Sequence, residues 1–191
     1  MSAVYNKQQF ISQFVSLHHL SAQPTLIHQL LTTKLPNAFV EYWILYDDSH
    51  RPLACAAANT VMSDMSVGYV GLFEAKDEQA GVAVLKAATE WLHAGGLREF
   101  EPVRQILGPV NMTTWLQYRL RVDEDPAKSM SFEPRHPQFY QTCFEKVREV
   151  VLVCVVCIRS KYSVKLTAIF LCRLGSLRLW ITTPRFSRLT N

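Results

Sequence analysis

Glu74 closes an apolar run, Gly68-Tyr-Val-Gly-Leu-Phe-Glu74. Burial of a carboxylate at a strand end disfavours its charge and moves its pKa toward a range useful for taking up protons. The same position also suits a simple edge carboxylate or a cap partner for the next helix. Tyr118 and Tyr140 carry phenols that can donate a proton, or can be buried tyrosines with satisfied hydroxyls. Asn111 follows a second apolar run, Gln105-Ile-Leu-Gly-Pro-Val-Asn111. Its amide can bind a ligand or close a turn on its own backbone. His136, between Pro134 and Pro137, is a histidine in a rigid loop, and His18-His19 suits a helix C-terminus. Arg119 and Arg121, two apart, do not share a helix face. Cys154-Val-Val-Cys157 has redox or zinc spacing, but no second ligand pair follows it. In a strand its two thiols point to opposite faces. No metal site is expected.

The elements that must position these groups follow from periodicity. Lys7 to Leu20 has Phe10, Ile11, Phe14, Val15 and Leu17 at helical spacing, with Asn6 as a cap. A short helix is expected over Thr25–Thr33. Ala38–Tyr46 is aromatic and β-branched, Leu53–Met62 small and apolar, and Val67–Ala75 apolar again. With turns at Asp47–His50 and Ser63–Ser66 they form a three-stranded meander. Val82, Leu85, Ala88, Trp91 and Leu92 define one face of a helix over Asp77–Ala94. Asp77 and Glu78 suit its positive end and Gly95-Gly96 its stop. A strand over Phe100–Val110, a helix from Thr113 carrying Trp115, Tyr118 and Arg119, a short strand over Met130–Glu133 and a helix over Gln138–Lys146 complete the series. The fold class expected is α+β: a mixed, mainly antiparallel sheet flanked by helices.

Composition divides the chain. Of 191 residues, 49% are hydrophobic and 19% charged, which is ordinary for a globular chain. Residues 1–149 hold all 16 acidic residues and 13 of the 20 basic ones, while residues 150–191 hold seven bases and no acid. Two domains are therefore drawn, 1–146 and a basic apolar tail, 147–191. The tail reads as β-rich over Val150–Ile158, Ser163–Cys172 and Leu177–Thr182. Two explanations stand: a change of reading frame near Val147, or a native β-rich ending. Its basic residues are scattered among Val, Leu and Ile, so no nucleic-acid stripe is expected. Its longest apolar run is too short to span a bilayer at roughly 20 residues. Five cysteines without a secretory signal favour free thiols in the cytoplasm.

Gly71-Leu-Phe-Glu-Ala75, Glu90-Trp-Leu92, Gly108-Pro-Val-Asn-Met-Thr-Thr-Trp115, Tyr118-Arg119, Phe132-Glu-Pro134 and His136-Pro137 occur in an order that resembles a bacterial branch of the GNAT-like acyl-CoA N-acyltransferase superfamily. The resemblance covers about residues 37–146. It implies the GNAT-like fold, lacking its final strand if the frame changes near Val147. It also implies direct acyl transfer, usually acetyl, from acetyl-CoA as co-substrate to a small-molecule amine or a peptide amine, with no nucleic acid and no membrane as partner and a homodimer left open. By the same resemblance Glu74 is the base, and Tyr118 or Tyr140 protonates the leaving thiolate. Pantetheine lies between the strand ending at Glu74, with Phe73, and the strand ending at Asn111. The diphosphate meets Lys76-Asp-Glu-Gln-Ala-Gly-Val-Ala83 through Gln79 and Gly81. The alternative is a catalytically inactive or truncated GNAT-like binding or regulatory domain.

Overall fold

The computed structural model describes residues 3–4, 6–17, 37–111, 120–121, 136–147, 150–158, 166–173 and 176–180, with side chains only in the stretches 6–17, 37–96, 99–111, 120 and 136–147. The expected helix over 25–33, the helix from Thr113, the strand over 130–133, and His18, His19, Trp115, Tyr118 and Arg119 lie outside these residues.

Among the described residues nine strands form one sheet: β1 (Ala3–Val4), β2 (Ala38–Tyr46), β3 (Pro52–Val61), β4 (Asp64–Ala75), β5 (Gln105–Gly108), β6 (Leu120–Arg121), β7 (Val150–Ile158), β8 (Leu166–Arg173) and β9 (Ser176–Trp180). The order is β1-β2-β3-β4-β5-β7-β8-β9, with β6 beside β7. β4, β5 and β7 run parallel to one another, as do β6 and β7; every other pairing is antiparallel. The fold is therefore α+β with a mixed, mainly antiparallel sheet.

Helix α1 (Lys7–Leu17) starts where Asn6 Oδ1 accepts from Gln9 N at 3.0 Å, the expected cap. Phe10, Ile11, Phe14 and Leu17 bury its apolar stripe against Tyr42, Ile44, Cys55, Ala57 and Leu72. Helix α2 (Glu78–His93) begins at Asp77 and buries Val84, Leu85, Ala88 and Leu92 on the other face of the sheet, against Ala54, Ala56, Ala58 and Val70. Fully burying each such Leu or Val contributes about 1.5–3 kcal/mol. Gly95 and Gly96, at φ 64° and 54°, end α2 and open a helical turn, α3 (Gly95–Arg98). Helix α4 (Phe139–Lys146) packs on α2 through Tyr140, Cys143 and Phe144. The meander's two outer faces thus carry α1 on one side and α2 with α4 on the other.

Three findings differ from the sequence expectation. β5 is only Gln105–Gly108, because Pro109 has no N–H to give a ladder. Leu120–Arg121 is a strand on β7, and Ala3–Val4 a strand on β2; both are too short to show periodicity. β4 carries a bulge: Cys55 pairs with Glu74 but Ala57 with Gly71, one extra residue on β4.

Candidate functional site

The bulge decides which way the end of β4 points. Val70, Phe73 and Ala75 join the α2–α4 core, while Leu72 joins the α1 core. Glu74, cross-strand from Cys55, falls on the α1 side with Leu72. Leu72 sits at φ 46°, a region that costs a residue with a side chain roughly 1–2 kcal/mol. Its N–H is held at 2.7 Å by Asn111 Oδ1. The Asn111 amide therefore ties the chain leaving β5 to the bulge of β4.

β4 and β5 are in register over only three pairs, Val67–Gln105, Gly68–Ile106 and Tyr69–Leu107. Val110 N then donates to Val70 O at 2.8 Å, and Asn111 follows. Gly71 is required at this junction, since a Cβ there would lie 1.9 Å from Val110 O. Among the described residues, Phe73–Ala75 extend past the last bond from the β5 side. The edge there is met instead by Tyr140, whose hydroxyl accepts from Ala75 N at 2.9 Å and donates to Glu74 Oε2 at 2.7 Å. Glu74 is 7% exposed and Tyr140 3%. Burial first, and then the Glu74 charge, hold the Tyr140 phenol far above its ordinary pKa. The Cys55 thiol, fully buried beside Glu74, is raised for the same two reasons in the same order.

Glu74 and Tyr140 are thus brought together across 66 positions of sequence. Phe73 is adjacent but its ring is committed to the core, edge-on to Tyr140 at 4.7 Å and to Phe144 at 5.2 Å. His136 stacks on Tyr140 with ring centres 5.8 Å apart and planes 4° from parallel.

The start of α2 lies nearby. Asp77 caps it, Oδ1 accepting from Ala80 N at 2.8 Å. Gln79 is exposed in the first turn. Gly81 N donates to Asp77 O at 3.0 Å, and a Cβ on Gly81 would meet Cys143 Sγ at 2.7 Å. Gly81 therefore lets α4 close on α2. Glu78 pairs with Lys146 across the same seam. The Cys143 thiol is pushed up to about 12, by burial first and then by the Glu78 and Asp77 charges. Sequence reasoning missed the partners Ala75, Cys55 and Lys146. Ala75 acts through its backbone and carries no side-chain signal, while Cys55 and Lys146 are placed by pairing and packing rather than by any local motif.

Among the described residues no cluster of three or more His, Cys, Asp or Glu can hold a metal ion. No helix among them is long and apolar enough to cross a membrane. The backbones of Cys154 and Cys157 lie in β7, three positions apart on one strand. No known protein family, curated protein or solved structure matches the chain.

Proposed function

We propose that this chain is an acyl-CoA-dependent N-acyltransferase of GNAT-like fold, transferring acetyl from acetyl-CoA to an amine in one direct step. The observation that carries this reading is the buried Glu74 carboxylate at the end of β4, just past the point where the ladder to the parallel strand β5 stops. Acetyl-CoA supplies an activated thioester. The strand edge at Phe73–Ala75 and the Asn111 segment flank its pantetheine arm, and Glu74 takes the proton that the acceptor nitrogen must lose before or during attack.

One observation favours the second reading, a catalytically silent GNAT-like binding or regulatory domain. The Asp77 carboxylate already occupies the N–H of Ala80 at the start of α2, with Glu78 beside it. A diphosphate approaching that helix end meets two like charges and one donor fewer.

Calorimetry with acetyl-CoA on the full chain separates the two. The enzyme reading expects binding, and with Glu74→Gln it expects retained binding with a rate loss of about 100- to 10,000-fold, the range for a general base. A folded chain that binds no acetyl-CoA rejects the enzyme reading. A Glu74→Gln variant with unchanged turnover removes Glu74 as the base.

A further inference from the structure

We propose that a buried water is bound on the α1 side of the sheet, between the Asn59 side chain and the Val110 carbonyl, and ties β3 and β4 to the chain leaving β5. This site stands apart from the N-acyltransferase reading and from the Glu74–Tyr140 contact.

Strand register sets the place. Asn59 pairs with Val40 on β2 and with Tyr69 on β4. It falls on the face of Cys55 and Ala57, which belong to the α1 core, because residues two apart in a strand share a face. Gly71 pairs with Ala57 and is therefore the diagonal neighbour of Asn59 on that face. Val110 N donates to Val70 O at 2.8 Å, which brings the Val110 peptide against β4. Its carbonyl oxygen fills the space above Gly71, where a Cβ would lie only 1.9 Å from it.

Two buried polar groups thus sit close together on one face. Asn59 is 3% exposed and Val110 7%. Among the described residues no hydrogen bond reaches the Asn59 amide or the Val110 carbonyl. Left dry, both would give up their hydration with nothing in return. Folded proteins satisfy such groups with internal water, which makes about three hydrogen bonds.

Distance separates a direct bond from a bridge. Diagonal neighbours on an antiparallel pair lie about 7–8 Å apart. The Asn59 side chain takes up part of that span, and a direct bond of about 2.9 Å does not close the rest. Two bonds through one oxygen, about 5.5 Å in all, do. The residues beside Asn59 on this face, Val40, Ala57, Tyr69 and Gly71, carry no charge, so neutral water fits rather than an ion. An alanine and a glycine among them are the smallest neighbours a strand face can offer, and the near-complete burial of Asn59 limits the occupant to the size of water. The Tyr69 hydroxyl, cross-strand from Asn59, is placed to supply the third bond. The water then adds a tie to the junction already held by Val110 N on Val70 O and by Asn111 Oδ1 on Leu72 N.

The test uses the full chain in solution. Magnetic relaxation dispersion of labelled water counts the molecules held far longer than surface water. The count should fall by about one in Asn59→Leu, which keeps the size of the side chain and removes both hydrogen-bonding atoms. An unchanged count overturns the proposal. If Asn59→Leu does not fold, the parent alone decides. Its Ala57 methyl should show cross-relaxation to water with the sign of a long-lived contact. No such peak, or the sign of fast-exchanging water, overturns the proposal. A crystal structure identifies the occupant: an isolated water within about 3.2 Å of both the Asn59 amide and the Val110 oxygen is expected. A dry amide, a direct bond from the amide to protein, or an ion or larger molecule in that place overturns it.

Discussion

Replacing Asn111 by Ala tests the junction on which the candidate site depends. Asn111 Oδ1 accepts from Leu72 N at 2.7 Å, and Leu72 is 3% exposed at φ 46°. Removing the acceptor leaves a buried N–H without that partner, which costs about 1–3 kcal/mol. Asn111 itself is half-buried, so the methyl of Ala leaves room for water, and the lower half of the range applies. The backbone strain at Leu72 opposes this loss, because a released bulge can relax toward an ordinary strand at a gain of roughly 1–2 kcal/mol. That relaxation turns Glu74 away from Tyr140 and gives up a second buried hydrogen bond, a cost of about the same size, so the net loss stays near that of the Asn111 bond. We therefore expect a stability loss of about 1–2 kcal/mol, a fall of roughly 1 M in the urea midpoint at ordinary slopes. The chain will also lose the Tyr140–Glu74 hydrogen bond, because a bulge that slips by one residue turns Glu74 to the other face. Asn111→Asp keeps an acceptor oxygen at the same place and should recover at least half of the loss at pH 7. Equilibrium urea unfolding followed by tryptophan fluorescence measures both variants. A midpoint shift under about 0.3 M for the Ala variant, or an Asp variant no better than Ala, refutes the argument that this amide holds the bulge.

Two further outcomes follow from the α2–α4 seam. Gly81→Ala drives a methyl to within 2.7 Å of Cys143 Sγ, so it should destabilise by about 1–3 kcal/mol; with Cys143→Ala the loss should shrink, and strictly additive urea-unfolding values would show that the two do not meet. Cys55 and Cys143 are buried with raised thiol pKa values, so peptide-resolved alkylation at pH 8 should label both at least tenfold more slowly in the folded chain than in urea; equal rates would remove the buried setting of Cys55 beside Glu74.

What the sequence makes legible is what local pattern controls. The meander shows as three apolar runs with turn residues between them, and α2 shows as an apolar stripe bracketed by Asp77 and Gly95-Gly96. The helix carrying Tyr140 shows by its start after Pro137 and by its stripe. The bulge at Leu72 does not show, because nothing in Gly71-Leu-Phe-Glu74 distinguishes it from an even strand; it appears only when β4 is counted against β3. The contact between Glu74 and Tyr140 depends on that bulge and on the early end of β5, so it is two pairings removed from any local signal. That Glu74, Tyr140 and Asn111 carry groups able to do chemistry is legible; that Tyr140 donates to Glu74 and that Asn111 accepts from Leu72 is not.

The same logic applies to the segment without acids. β5 has β4 on one side and β7 on the other, and Ile106, fully buried, pairs with Val150. A sheet ending at β5 leaves a row of unpaired backbone donors and acceptors along a buried strand, and such an edge invites pairing with other chains. The run Val150–Ile158 therefore answers a physical need of residues 1–146, whatever reading frame encodes it: a β-rich, apolar segment parallel to β5. Its alternation need only supply strand backbone and an apolar face, which Val, Leu and Ile do in many orders. The contact between Glu74 and Tyr140 is less tolerant, because it joins a carboxylate paired with Cys55 to a phenol whose ring sits in the core with Phe73, and both of its atoms must arrive within hydrogen-bond distance. Closing the sheet beside Ile106 asks only for a strand backbone, whereas this contact asks for two particular side chains at two particular positions.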